Sequence, residues 1–263
     1  MQGFSLSRRK LLFSAGAGVL GVSVLYTLSA CSGSDETPGG ASSGPAPSDP
    51  ASGPTSGPAS GPASSGPGGI GDWRRVDLSF VSAYVLVRGG EAAVVDLGTG
   101  GSAGAIGDAL TAAGSGWNAV RHVILTHQHQ DHAGGLGDVQ PLATAATTYA
   151  GEADLSAINS AKPLRPLKDG DEVFGLQIIG TPGHTAGHIC VFEPATGVLV
   201  AGDALGTTDG LTGSNPQYTA DQAQAAASVK KLAQLDVRTI LPGHGNPLTT
   251  GAAEALQKLA ASL

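Results

Sequence analysis

The run His127-Gln128-His129-Gln130-Asp131-His132 constrains this chain more than any other six residues. It sets three imidazoles and a carboxylate side by side, a donor set suited to zinc, iron and similar ions. Six residues on one loop cannot enclose an ion, so the fold must deliver further donors to the same point. Three candidates stand at loop-like positions beside glycine: His184 in Thr181-Pro182-Gly183-His184-Thr185-Ala186-Gly187-His188, Asp203 in Ala201-Gly202-Asp203-Ala204, and His244 in Pro242-Gly243-His244-Gly245. Each follows an apolar, strand-like run, at 176–179, 198–200 and 239–241. Open α/β sheets place chemistry where buried strands end, and small Gly and Pro neighbours allow the turns that aim a side chain there.

Residues 71–263 supply roughly 190 residues, enough for one substantial core. Short strands are expected at 76–80, 83–87 and 92–96, an Ala-rich helix at 103–113, and a strand at 120–126 that runs straight into the histidine motif. Strand-like segments alternate again through 173–200, and helices at 220–235 and 251–261 flank a strand at 237–241. Two batches of strands, each followed by helices, make this an α/β chain.

The ordered set HxHxDH, TPGHTAGH, GD and PGHG resembles the metallo-β-lactamase-fold superfamily, over about residues 73–263 and including the runs Tyr84-Val85-Leu86-Val87 and Val94-Val95-Asp96-Leu97-Gly98. The resemblance implies a four-layer αββα sandwich and a dinuclear centre. His127, His129 and His184 would hold one divalent ion, Asp131, His132 and His244 the second, and Asp203 would bridge them. Zinc is the default occupant, with manganese or iron as fits to similar ligands. Asp96 and Thr181 are candidate outer hydrogen-bond partners of the ligating imidazoles, strand-end capping being their alternative role. The implied activity is cleavage of an ester, lactone, thioester or amide bond in a small molecule by a metal-bridging hydroxide. Asp131 would orient the nucleophile and pass its proton to the leaving group.

Asp203 in the bridging position resembles glyoxalase II-type thioesterases and lactonases more than true β-lactamases. Only 19 residues follow His244, short of the helical part with which glyoxalase II binds its glutathione conjugate. The segment 206–218 is expected to wall the substrate site, with Tyr218 either donating a hydrogen bond to a bound carbonyl oxygen or packing. His122, His188 and Cys190 are assigned to the core or to outer support. Two other readings stay open: an iron-dependent redox enzyme acting on sulfur or oxygen, and a non-catalytic metal-binding lipoprotein.

Residues 1–31 read as an export signal. Ser7-Arg8-Arg9-Lys10-Leu11-Leu12-Phe13 resembles the twin-arginine consensus, and Leu28-Ser29-Ala30-Cys31 resembles a bacterial lipobox whose cysteine becomes lipid-modified. An uncleaved anchor is the alternative, since the apolar run is about 20 residues long. Residues 32–70, dominated by Gly, Ser, Pro and Ala, are expected to be a disordered linker spanning roughly 35 Å. The expected partners are thus the twin-arginine export machinery and the membrane, reached through a lipid on Cys31, and the expected location is extracytoplasmic on a bacterial cell membrane. Formal net charge is −7. Residues 1–30 hold Arg8, Arg9 and Lys10 and no acid, so the processed chain has 11 basic against 21 acidic residues, or −10. With no Lys/Arg cluster beyond the signal, nucleic acid is not an expected partner.

Overall fold

The computed structural model describes residues 70–263; the expected export signal, Cys31 and the linker up to residue 69 lie outside them. One sheet has the order β1-β2-β3-β4-β5-β6, from β1 (Trp73–Leu78), β2 (Val81–Arg88), β3 (Glu91–Val95), β4 (Val120–Leu125), β5 (Thr147–Gly151) and β6 (Arg165–Leu167). Its first three strands are antiparallel, and β3 to β6 run parallel. Helix α1 (Ala103–Ala112) makes the crossover from β3 to β4, and the short α2 (Gln130–Ala133) and α3 (Leu136–Val139) follow β4. The second sheet has the order β13-β10-β9-β8-β7, from β7 (Glu172–Val173), β8 (Leu176–Gly180), β9 (Ile189–Glu193), β10 (Val198–Gly202) and β13 (Thr239–Pro242). A two-stranded ribbon, β11 (Leu205–Gly206) with β12 (Thr212–Gly213), precedes α4 (Gln222–Leu232), and α5 (Ala252–Ser262) follows β13.

Four layers need three interfaces, and the buried side chains fall into three clusters. Ala83 and Val85 of β2 with Val123 and Leu125 of β4 pack under Ile106 and Leu110 of α1. Their neighbours Tyr84, Leu86 and Ile124 point the other way, against Ile178, Ile189, Val191 and Val200 of the second sheet. Cys190, Phe192, Leu199 and Ala201 face outward again, beneath Val229 and Leu232 of α4 and Leu256 of α5. Strand side chains alternate with period two. Because both faces of β2, β4, β9 and β10 are covered, these strands are largely apolar, which is why each reads as a mainly hydrophobic run. Each large side chain so buried contributes about 1.5–3 kcal/mol of transfer free energy. The four-layer αββα arrangement is the one the resemblance implied.

Two local departures matter for the site. Phe80, expected to close the first strand, instead sits with Ser79 in a two-residue turn, since Leu78 pairs with Val81. Ser79 has φ 76° and donates its N–H to Asp77 Oδ1 at 3.0 Å. A positive φ at the first loop residue matches the twist of a tight hairpin, and it leaves the Phe80 ring 60% exposed. Strand β5 lay outside the expected elements. Thr147-Thr148-Tyr149-Ala150-Gly151 favours strand by β-branching, yet its apolar surface is too small to register as a run. Among the described residues no helix is long and apolar enough to cross a membrane.

Candidate metal centre

Every expected donor follows the C-terminal end of a strand. Asp96 follows β3, His127 to His132 follow β4, His184 follows β8, Asp203 follows β10 and His244 follows β13. β3 and β4 are parallel, as are β10 and β13, and β8 runs with β10 because β9 opposes both. These ends therefore open on one edge of the sandwich. Backbone bonds close the seam there: Ile189 N–H donates to Thr126 O at 2.9 Å, and Ser82 N–H to Gly243 O at 2.9 Å.

The imidazoles are held in defined orientations. His132 donates from Nδ1 to Asp96 Oδ2 at 2.8 Å. The Thr126 hydroxyl donates its single proton to the same oxygen at 2.8 Å, so its own oxygen accepts from His127 Nδ1 at 3.0 Å. His244 donates from Nδ1 to the Phe80 carbonyl at 2.7 Å. Thr219 donates to Asn215 O at 2.7 Å, which leaves its oxygen to accept from His184 Nδ1 at 3.3 Å. Four rings are thus pinned through Nδ1, with Nε2 turned inward. His129 is reversed. Its Nδ1 lies 3.1 Å from His127 Nε2 and 3.0 Å from His184 Nε2.

Three donor groups follow, each with its atoms within 4.8 Å of one another: His127, His129 and His184; Asp131, His132 and His244; and His127, His132 and Asp203. Asp203 lies between the first two. Its Oδ1 is 3.1 Å from His132 Nε2, and its Oδ2 is 3.3 Å from both His184 Nε2 and His244 Nε2. Asp131 Oδ2 is 3.3 Å from His244 Nε2 and 3.7 Å from His132 Nε2. His132 Nε2 and Asp203 Oδ1 are buried and have no hydrogen-bond partner. Such orphans are costly in a folded protein unless something else takes them up.

A proton satisfies one half of this arrangement only. Burial pushes His127 well below the ordinary imidazole range and His184 down to about 4, so both are neutral with their lone pairs crowded together. Burial also disfavours charge on His132, but Asp203 and Asp96 outweigh it and hold the ring well above its ordinary value. Asp131, then Asp203, hold His244 up to about 10. Burial opposes ionisation of Asp203, yet His132 keeps its carboxyl well below the usual range. The chain therefore builds convergent neutral nitrogens beside carboxylates that demand positive charge. Divalent ions meet both conditions.

Asp154 escaped the sequence reading. This carboxylate is 1% exposed. Its Oδ2 accepts from Gln128 N at 3.0 Å and from Thr185 Oγ1 at 2.6 Å, and its Oδ1 from Gly187 N at 2.7 Å. It clamps the 127–129 loop to the 184–187 loop, which together carry all three residues of the His127 cluster. A Cβ at Gly187 would strike Asp154 N and the carboxyl carbon, so only glycine allows this close approach. A Cβ at Gly243 would likewise strike Asp203 Oδ1 and His132 Cε1.

Of the two expected outer partners, Asp96 meets His132 directly and His127 through Thr126. Thr181 meets none of the seven donors. It lies at the end of β8, beside its neighbour strand β9, and its oxygen pairs with His188 Nδ1 at 2.8 Å. His188 Nε2 in turn accepts from Asp203 N at 3.1 Å, so Thr181 bears on Asp203 at one remove. Burial pushes His188 down to about 3 and the Cys190 thiol up to about 12. Cys190 bonds Thr181 and the Ala201 carbonyl, away from the cluster.

The centre opens on a groove of about 1350 Å³. His129, Asp131, Asp203 and His244 face it, and Phe80, Tyr218, Leu205 and Val229 are among its walls. The ring of Phe80 stacks on that of His244 at 6.2 Å between centroids. Tyr218, the sequence candidate for carbonyl binding, lines the groove and is 60% exposed. Sequence reasoning missed Phe80, Thr126, Thr219 and Asp154. Only Thr126, directly before the histidine run, carried a signal that could have found it.

Residues 76–244 match the Metallo-beta-lactamase superfamily. The chain is 31% identical over 201 residues to the probable metallo-hydrolase YflN of Bacillus subtilis, covering 59% of this chain and 76% of that protein. It is 34% identical over 140 residues to a hydroxyacylglutathione hydrolase of Pseudomonas putida, covering 50% of this chain and only 49% of the relative's own length. Among solved structures, a metallo-beta-lactamase family protein of Thermus thermophilus superposes with a TM-score of 0.59 at 26% identity, over 73% of this chain and 79% of that one. A protein solved in a di-iron-bound form gives 0.58 at 26% identity, over 70% and 95%.

Proposed function

Because the chain belongs to the metallo-beta-lactamase superfamily and is a hydrolase of that superfamily, we propose that it cleaves an ester, lactone, thioester or amide bond at a two-metal centre. His127, His129 and His184 would hold one ion, Asp131, His132 and His244 the other, and Asp203 both. The observation that carries this reading is the inward turn of five imidazole nitrogens, four of them with the opposite nitrogen already tied to protein. When bound, two divalent ions supply Lewis acidity and bring the pKa of a shared water towards roughly 7. Asp131 would take a proton from the nucleophile and deliver it to the leaving group, a role supported by its facing the groove at 29% exposure. Asp96 and Thr126 keep His132 and His127 in the tautomer that presents Nε2, so those rings need no reorientation during turnover. Zinc is our preferred occupant, with manganese and iron served by the same donors.

We further infer that the enzyme works outside the cytoplasmic membrane, lipid-anchored at Cys31 after twin-arginine export. The signal-like residues 7–13 and 28–31 support this reading. Replacing Arg8 and Arg9 by Lys should abolish surface display, and unchanged display would end it.

Elemental analysis of the purified chain, run beside an ester, lactone, thioester and cephalosporin panel, tests the main proposal. About two ions per chain with chelator-sensitive hydrolysis is the expected result. One iron per chain, or two ions with no hydrolysis, would shift the reading to redox chemistry or metal binding.

A further inference from the structure

We infer that the groove selects an uncharged acyl substrate carrying an extended apolar arm, and rejects one with a carboxylate on that arm. The inference rests on the hydrolase reading above and names the substrate class of the same site. Three observations carry it.

Among the described residues the groove offers no free lysine or arginine, and its His244 is taken up by Asp131 and Asp203. Arg75 is the one Lys or Arg side chain on its walls among the described residues, and its guanidinium is engaged on every nitrogen. Nε donates to Ser82 Oγ at 2.8 Å, Nη1 to Asn246 Oδ1 at 3.0 Å, and Nη2 pairs with Asp77 Oδ2 at 3.5 Å. Asp77 and Asp209 also line the groove, so an anionic arm would meet carboxylates and find no unpaired donor of positive charge.

Apolar surface is presented where an arm would lie. Phe80 and Tyr218 are two of the four large hydrophobic side chains exposed among the described residues, and both line this groove. Exposed aromatics at one concave site mark a binding surface more than chance exposure does.

Local structure builds that presentation. The Ser79-Phe80 turn, held by Asp77, sets Phe80 against His244, and the Phe80 carbonyl also fixes that ring. Asn215 folds a second turn, accepting from Gln217 N through its side chain at 3.0 Å and from Tyr218 N through its carbonyl at 3.1 Å. Leu205, Ala225 and Val229 make an apolar wall of the same groove. An arm leaving the reacting carbonyl thus passes from metal ligands to aromatic and aliphatic surface.

The test uses the full, metal-loaded chain and two matched pairs of probes. Nitrophenyl hexanoate and nitrophenyl adipate differ by a terminal carboxylate, and so do hexanethiol and mercaptohexanoate, whose thiolates bind such ions without needing turnover. We expect kcat/KM for hexanoate to exceed that for adipate by about tenfold or more, and hexanethiol to bind more tightly than mercaptohexanoate by a similar factor. The ratio of hexanoate to acetate turnover should fall several-fold in Phe80→Ala and Tyr218→Ala. Equal or better use of the carboxylated member of either pair would overturn the inference. Discrimination between the thiols with no turnover of any ester would uphold the groove's selectivity and remove the hydrolase reading instead.

Discussion

Replacing Asp154 by Asn changes one atom in a side chain that touches no expected metal ligand, yet it should weaken the centre. The carboxylate takes three hydrogen bonds from Gln128, Thr185 and Gly187 at 2.6–3.0 Å while 1% exposed. An amide in the same place has one acceptor oxygen. If that oxygen serves Gly187, the new NH₂ faces the Gln128 N–H; if it serves Gln128 and Thr185, the NH₂ faces the Gly187 N–H. Either way a buried backbone donor is orphaned, which costs about 1–3 kcal/mol, and charge-assisted bonds become neutral ones, which adds about 1 kcal/mol. The total of about 2–4 kcal/mol is a large share of a typical stability of about 5–15 kcal/mol. For a domain of this size the midpoint should drop by roughly 4–15 °C. The loss falls between the two loops that carry His127, His129 and His184, so those donors should release metal before Asp131, His132 and His244 do. Denaturation of the chelated protein and competition with a graded metal chelator read the two effects. A change under about 0.5 kcal/mol, with unaltered metal retention, would refute the clamp.

Three further outcomes are expected. Asp131→Asn should keep the fold and lower kcat by about two to four orders of magnitude; near-normal rates would remove its role. Gly243→Ala should cost about 1–3 kcal/mol through overpacking against Asp203 and His132, and metal analysis should show an ion lost; full two-ion content would contradict the close approach. The chelated protein should be most stable near neutral pH. His188 stays neutral in the fold, its pKa pushed down by burial to about 3, while the unfolded imidazole takes a proton near 6.5, so stability falls as pH drops below 6.5. His244, held at about 10 by Asp131 and Asp203, contributes fully below 6.5, and its contribution fades as pH rises through about 10. A flat melting profile between about pH 4 and pH 10 would exclude this linkage.

The sequence shows an α/β chain because strands covered on both faces write largely apolar runs, as in 83–87 and 198–200, whereas the four layers were legible only through the resemblance that the motifs carry. Its motif residues are legible because metal chemistry needs rare residue types at short spacing. What it hides is the support that comes from elsewhere in the chain. Asp154 stands 26 to 33 residues from the groups it holds, in a short 3₁₀ segment (Glu152–Ala157) too brief to show periodicity. Phe80 reads as the last residue of a strand, since nothing local reveals that register makes it a turn. Thr181 reads as an outer partner of the ligating imidazoles, but the nearby His184 ring turns to Thr219 while Thr181 faces His188 of the neighbouring strand end.

Asp96 Oδ2 has one further consequence for the centre. A single oxygen receives His132 directly and His127 through Thr126, and in the proposed assignment those two rings serve different ions while sharing a third donor group with Asp203. The residue that carries it sits at φ 59°, a left-handed backbone that an aspartate tolerates at some cost. If two ions are held as proposed, one shared acceptor would link them thermodynamically: the order that the first imposes on Asp96, Thr126 and the paired imidazoles would already be in place for the second. Loading should then be cooperative, with the half-filled protein a minor species, and by reciprocity stripping either ion should loosen the hold on the other.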